Sequence, residues 1–134
     1  MTQAAAPDAQ PARRYHPSTY AETTPDKPAA TMAGSGESRT FAELTANANR
    51  IASLLRSRGL GRGDVVAVLL PNCLEWFDIV WAALSSGMYL TPINWHLTAR
   101  EAAYILVNCD ARAVFAHAEL ADTVSAIAAD PELG

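Results

Sequence analysis

The stretch GLGRGDVVAVLLPN, residues Gly59–Asn72, decides how the rest of the chain is organised. Val65 to Leu70 are six consecutive apolar residues with no polar face to offer solvent. That is the pattern of an inner parallel strand covered on both sides. Pro71 and Asn72 stop it. Upstream, Phe41, Leu44, Ala48, Ile51 and Leu55 recur at spacings of three and four, so residues 41–58 are expected to form an amphipathic helix ending at Gly59. Downstream, Leu74–Ser86 reads as a helix that is apolar around most of its circumference, with a narrow polar stripe of Glu75, Asp78 and serines. Such a helix must be covered on more than one side.

The alternation continues in both directions. MYLTPIN reads as a strand. A helix follows from Thr98 to about Asn108, with Ala102, Ile105, Leu106 and Cys109 on one face. ARAVFAH is a further strand, and Leu120, Val124 and Ile127 mark a last helix. Towards the N-terminus, PAATMA (Pro28–Ala33) is a short strand. The βαβαβα alternation predicts an α/β fold, a parallel sheet with helices packed on its faces. Residues 1–14 read as a flexible tail without the apolar core of a signal peptide, and residues 15–134 as one domain's worth of chain.

The totals exclude several classes. Half of the 134 residues are apolar and 18% are charged, a globular composition. Net charge is −4 and the ten basic residues are scattered, which argues against nucleic acid as a partner. Arg56, Arg58 and Arg62 fit a solvated helix end, where cations suit the helix dipole. The apolar segment Cys73–Trp95 is interrupted by Glu75, Asp78, Gly87 and Pro92, so it is expected to split at Gly87 into helix and strand, giving no transmembrane segment. Cys73 and Cys109, at no metal or disulfide spacing, are expected to be buried free thiols on helices in a reducing cytoplasm.

GSGESRTFAEL, residues Gly34–Leu44, looks at first like a phosphate cradle. A P-loop needs two glycines four residues apart and then a lysine; here one residue separates the glycines and Glu37 follows. A hairpin turn suits Gly-Ser-Gly better. Thr40-Phe41-Ala42-Glu43 is a capping box, and Thr98-Ala99-Arg100-Glu101 repeats it, so both mark helix starts. GLGRGD runs from helix to strand, the wrong polarity for a phosphate loop. The only lysine, Lys27, lies in a proline-bracketed turn. His16, His96 and His117 have no cysteine or carboxylate partner at ligand spacing, and Ser53, Ser85 and Ser86 lie on predicted helices as packing or surface groups. No catalytic residue and no metal site is expected in this chain taken alone.

TFAEL, a helix rich in Ala and Asn, GLGRGDVVAVLLPN, and then WFDIVWAALSSGMYLTPINWHLTAREAAYILVNCDARAVF together resemble the opening of the AMP-forming acyl-CoA synthetases of the adenylate-forming superfamily. The resemblance covers about Tyr15 to Phe115. It implies a partial N-terminal subdomain of the adenylate-forming enzyme fold, and a reaction in which a carboxylate attacks the α-phosphorus of ATP·Mg2+, releasing pyrophosphate, before the thiol of coenzyme A displaces AMP. The acid implied is fatty or otherwise bulky and hydrophobic, with aryl acids and amino acids left open. The Ser/Thr/Gly-rich phosphate loop, the acidic nucleotide motifs and the C-terminal lysine of the family are absent. The chain is therefore expected to be an N-terminal fragment, inactive by itself, whose partner is the remainder of its own ligase; ATP, Mg2+ and coenzyme A serve the intact enzyme and none binds the fragment tightly. Relatives carry an arginine before the leucine of Pro-x-Asn-x-x-Leu, near the coenzyme A nucleotide. His96 holds that position here, and the plainer reading, a surface histidine beside a helix cap, is the favoured one of the two. The alternative to a ligase fragment is a free-standing, non-catalytic α/β binding or scaffold module. Trp76, Phe77 and Trp81 would expose apolar surface if the rest were missing, and would favour a homo-oligomer.

Overall fold

A computed structural model describes residues 15–131; the tail read at residues 1–14 lies outside them. The elements are α1 (Pro17–Thr23), β1 (Pro28–Thr31), β2 (Ser38–Thr40), α2 (Phe41–Ser57), β3 (Val65–Leu69), α3 (Leu74–Ser85), β4 (Tyr89–Pro92), α4 (Ala99–Asn108), β5 (Ala111–Ala116) and α5 (Ala121–Ala128). Both capping boxes form. Thr40 Oγ1 accepts the Glu43 N–H at 3.2 Å while Glu43 Oε2 accepts the Thr40 N–H at 2.9 Å, and Thr98 and Glu101 repeat the exchange at α4.

The strands form a parallel sheet in the order β4-β3-β5. From β3 the chain steps one way through α3 to β4, then back across β3 through α4 to β5. Two crossovers of the same hand running in opposite directions put their helices on opposite faces. The packing follows. Val66, Val68 and Leu70 pack with Leu55 of α2 and with Ile79 and Ala83 of α3. Ala67 and Leu69, pointing the other way, pack with Ala102, Ala103 and Leu106 of α4 and Ile127 of α5. This is why the apolar run of β3 has no polar alternation: it is the middle layer. The segment Cys73–Trp95 splits at Gly87 as expected, and no helix among the described residues is long and apolar enough to cross a membrane.

Two features differ from the expectation. β1 does not join the parallel sheet; it pairs antiparallel with β2 in a hairpin of its own. And α1 had no periodicity to announce it. Pro17 sits in its first turn and His16 caps it, Nδ1 accepting the Ser18 N–H at 3.2 Å. Tertiary contacts hold it: Tyr20 stacks on Phe41 at 4.9 Å, and His16 meets Ser85 Oγ at 2.8 Å and the edge of Trp81 at 5.3 Å.

Candidate functional site

In open α/β sheets, ligands bind outside the carboxyl ends of the strands where the chain's direction across the sheet reverses. Here that place is the end of β3, since α3 leaves to one face and α4 and α5 to the other. Three loops meet there: Leu70–Cys73 after β3, Ile93–Leu97 after β4, and His117–Leu120 after β5.

His96 is exposed in the β4–α4 loop. Its backbone N–H donates to Asn94 Oδ1 at 3.1 Å, and its ring lies 3.7 Å from that of Trp95 with the planes 33° apart. His117 has a carboxylate neighbour after all: Glu119 Oε2 stands 3.6 Å from Nδ1, which also accepts the Glu119 N–H. The pair is a local cap at the start of the turn before α5. The strand β3 separates His117 from His96, and His16 lies against α3 beside Ser85. Among the described residues no three His, Cys, Asp or Glu side chains gather to hold a metal.

Two grooves flank the end of β3. One, of about 540 Å³, runs between the hairpin turn (Met32, Ala33) and the start of α3 (Cys73, Trp76, Phe77). The other, of about 440 Å³, lies between α3 and the end of β5, lined by Cys73, Asp78, Phe115 and His117. Cys73 borders both. It is the N-cap of α3 and half-buried, and Cys109 is the C-cap of α4 and half-buried, so neither is the fully buried helix thiol expected. Burial pushes the Cys73 thiol up, away from the thiolate that nucleophilic chemistry needs.

The groups that sequence reasoning missed surround Asp78. On the expected polar stripe of α3, Glu75 is exposed but Asp78 is only 3% exposed. Arg39 Nη2 from β2 reaches Asp78 Oδ2 at 3.2 Å and Glu75 Oε1 at 3.5 Å, and Asn47 Nδ2 from α2 donates to the same Asp78 oxygen at 3.1 Å. Burial raises the Asp78 carboxyl, and Arg39 and Asn47 oppose the rise. The signal was present as an arginine just before TFAEL and an asparagine about two turns into an alanine-rich helix. Nothing in periodicity says that these three meet.

The turn Gly34–Gly36 is no cradle. The Gly36 N–H donates to Met32 O at 2.8 Å and the Glu37 N–H donates to Ser35 Oγ at 3.3 Å, so these two donors close the hairpin.

Residues 18–133 match the AMP-binding enzyme family. The chain belongs to that family. It is 34% identical over 114 residues to a fatty acid–[acyl-carrier-protein] ligase, ScoC, of Streptomyces coeruleorubidus, covering 85% of this chain and 22% of that protein. It is 36% identical over 93 residues to the long-chain-fatty-acid–CoA ligase FadD13 of Mycobacterium tuberculosis, covering 69% and 18%. The chain thus spans about a fifth of the length of these curated relatives. Among solved structures, the N-terminal domain of FACL13 from Mycobacterium tuberculosis superposes with a TM-score of 0.78 at 31% identity, over 86% of this chain and 29% of that one. The fatty acyl CoA synthetase of the same organism gives 0.77 at 31% identity, over 86% and 23%. The fold is that of the N-terminal domain of the adenylate-forming ligases, and the resemblance carried by TFAEL and GLGRGDVVAVLLPN holds.

Proposed function

We propose that residues 15–134 are the N-terminal portion of an ATP-dependent acyl-CoA ligase, which activates a carboxylic acid as acyl-AMP and transfers it to coenzyme A. One observation carries this reading: sequence and fold agree over the same residues, the family match running from 18 to 133 and the structural match to a fatty acyl CoA synthetase covering 86% of the chain. The fatty acid ligases among its relatives support a fatty or bulky hydrophobic acid as substrate. The cytoplasm is the compartment this reading implies.

The residues present do not fit ATP·Mg2+. Among those described no three His, Cys, Asp or Glu side chains gather to hold the metal, and the Gly36 N–H of the turn between β1 and β2 is taken by Met32 O. Adenylation therefore belongs to the intact ligase, and the remainder of that ligase is the partner of this chain. His96, exposed at the carboxyl end of the sheet, is proposed to lie near the coenzyme A nucleotide, where a neutral imidazole gives one hydrogen bond to a phosphate but not the charge of an arginine.

The test is to follow the reading frame past Gly134, express the whole product, and measure AMP release from ATP with fatty acids and coenzyme A. Release that requires both supports the proposal. The 134-residue chain alone is expected to give no ATP–pyrophosphate exchange. A native stop after Gly134, or clear exchange by the chain alone, overturns the reading; the stop would put a binding or scaffold module in its place. A coenzyme A KM unchanged in His96→Ala of the intact enzyme dismisses the role of His96.

A further inference from the structure

The β1–β2 hairpin is fastened at its base and exposed at its turn. At the base, the Phe41 N–H donates to Lys27 O and the Ala42 N–H to Pro25 O, both at 3.1 Å, which ties the incoming and outgoing strands to the start of α2. Beyond that point the hairpin reaches α3 through Arg39. The same two elements, hairpin and start of α3, form the walls of the 540 Å³ groove, with Met32 and Ala33 on one side and Cys73, Trp76 and Phe77 on the other.

The contact between them is incomplete. A guanidinium offers two parallel N–H groups to the two oxygens of a carboxylate. Here Arg39 Nη2 reaches Asp78 Oδ2 at 3.2 Å, while Arg39 Nε and Asp78 Oδ1 are both buried and both without a partner. One donor and one acceptor, on the same ion pair, are left over. Leaving such groups buried and unpaired is costly, which favours a setting of the hairpin that pairs them.

We propose that Arg39 and Asp78 form a clasp that sets the position of the hairpin on α3, and that engaging its second prong narrows the groove over Cys73 and Trp76. The hairpin is then a strap, one hydrogen bond short of its closed setting, pivoting at the Pro25–Lys27 tether. Asn47 keeps Asp78 aligned from the α2 side in either setting.

The two cysteines supply the test. Cys73 lies in the groove, and Cys109 caps α4 within the structure on the other face of the sheet, both half-buried. Alkylation by iodoacetamide is followed at each thiol by mass spectrometry in the 134-residue chain. The paired substitution Arg39→Leu with Asp78→Leu removes the clasp without leaving a lone buried charge. It is expected to accelerate Cys73 by about tenfold, the factor equivalent to about 1.4 kcal/mol of lost closure, and to leave Cys109 at its wild-type rate. Arg39→Gln is expected to give a selective rise of the same kind. An unchanged Cys73 rate in a variant whose Cys109 is also unchanged overturns the clasp, and so does equal acceleration of both thiols in both variants, which reports general loosening.

Discussion

Arg112 Nη1 donates to Asp64 Oδ1 at 3.0 Å, joining the start of β5 to the turn before β3 across 48 residues of sequence. The other Asp64 oxygen accepts the Gly61 N–H at 2.7 Å. Along β5, Val65 pairs with Ala111 and Val66 with Ala113, so Arg112 is the extra residue of a bulge. One carboxylate thus closes the glycine turn and receives the side chain that the bulge displaces.

These hydrogen bonds hold the Asp64 carboxyl below its ordinary range, the Gly61 N–H first and Arg112 second. A carboxyl depressed on folding adds stability above its unfolded pKa of about 3.9, and the addition is lost as pH falls through the lower folded value. Asp64→Asn should therefore lower Tm at pH 7, and its deficit should shrink towards zero in melts at progressively lower pH. A deficit that stays constant down to pH 2 would refute the assignment. Glu43 and Glu101, depressed by their Thr40 and Thr98 N–H groups, add to the same acid weakening of the wild-type chain.

The capping boxes give a second expectation. Thr40→Ala and Thr98→Ala should each cost about 1 kcal/mol in urea denaturation. They cap different helices, α2 and α4, on opposite faces of the sheet, so the double variant should show the sum to within about 0.5 kcal/mol. Strong non-additivity would mean that the two helices share more than the sheet between them.

Core burial predicts a sharp contrast along neighbouring strands. Leu69 is 1% exposed in β3 and Val114 is 43% exposed in β5. Leu69→Ala should destabilise by about 2–5 kcal/mol, whereas Val114→Ala should change stability by no more than about 0.5 kcal/mol. Similar losses at both sites would show that the outer face of β5 is covered.

Gly87 ends the turn after α3 at φ +70°, where an added Cβ would stand 3.2 Å from Arg62 Cγ. Gly87→Ala should cost about 1–2 kcal/mol from the left-handed backbone alone. Adding Arg62→Ala removes the crowding but not the backbone penalty, so the double variant should recover little. Full recovery would place the cost in the side-chain contact instead.

Much of this fold was legible because its signals are local. The T-x-x-E boxes at Thr40 and Thr98 sit at the first turns of α2 and α4, and the run Val65–Leu70 announces a strand with no solvent face. The candidate site was far less so. Asp78 sits on a polar stripe that periodicity assigns to solvent, yet Arg39 and Asn47 arrive from two other elements to enclose it. The helix α1 is seven residues long, too short to be stable by itself in water, and exists through His16, Tyr20 and their distant partners.

The sequence by itself determined the order and type of the elements from β1 onward, the caps of α2 and α4, and the motif order that places the chain among AMP-binding enzymes, since each depends on residues within a few positions of one another. Only the tertiary structure decided that the strands run in the order β4-β3-β5, that the hairpin of β1 and β2 stands apart from that sheet, and that a buried carboxylate faces an arginine with one prong unmet. Those outcomes depend on which surfaces meet after the chain has crossed the sheet twice, and pairing energies between residues 31 or 48 positions apart leave no period in the sequence.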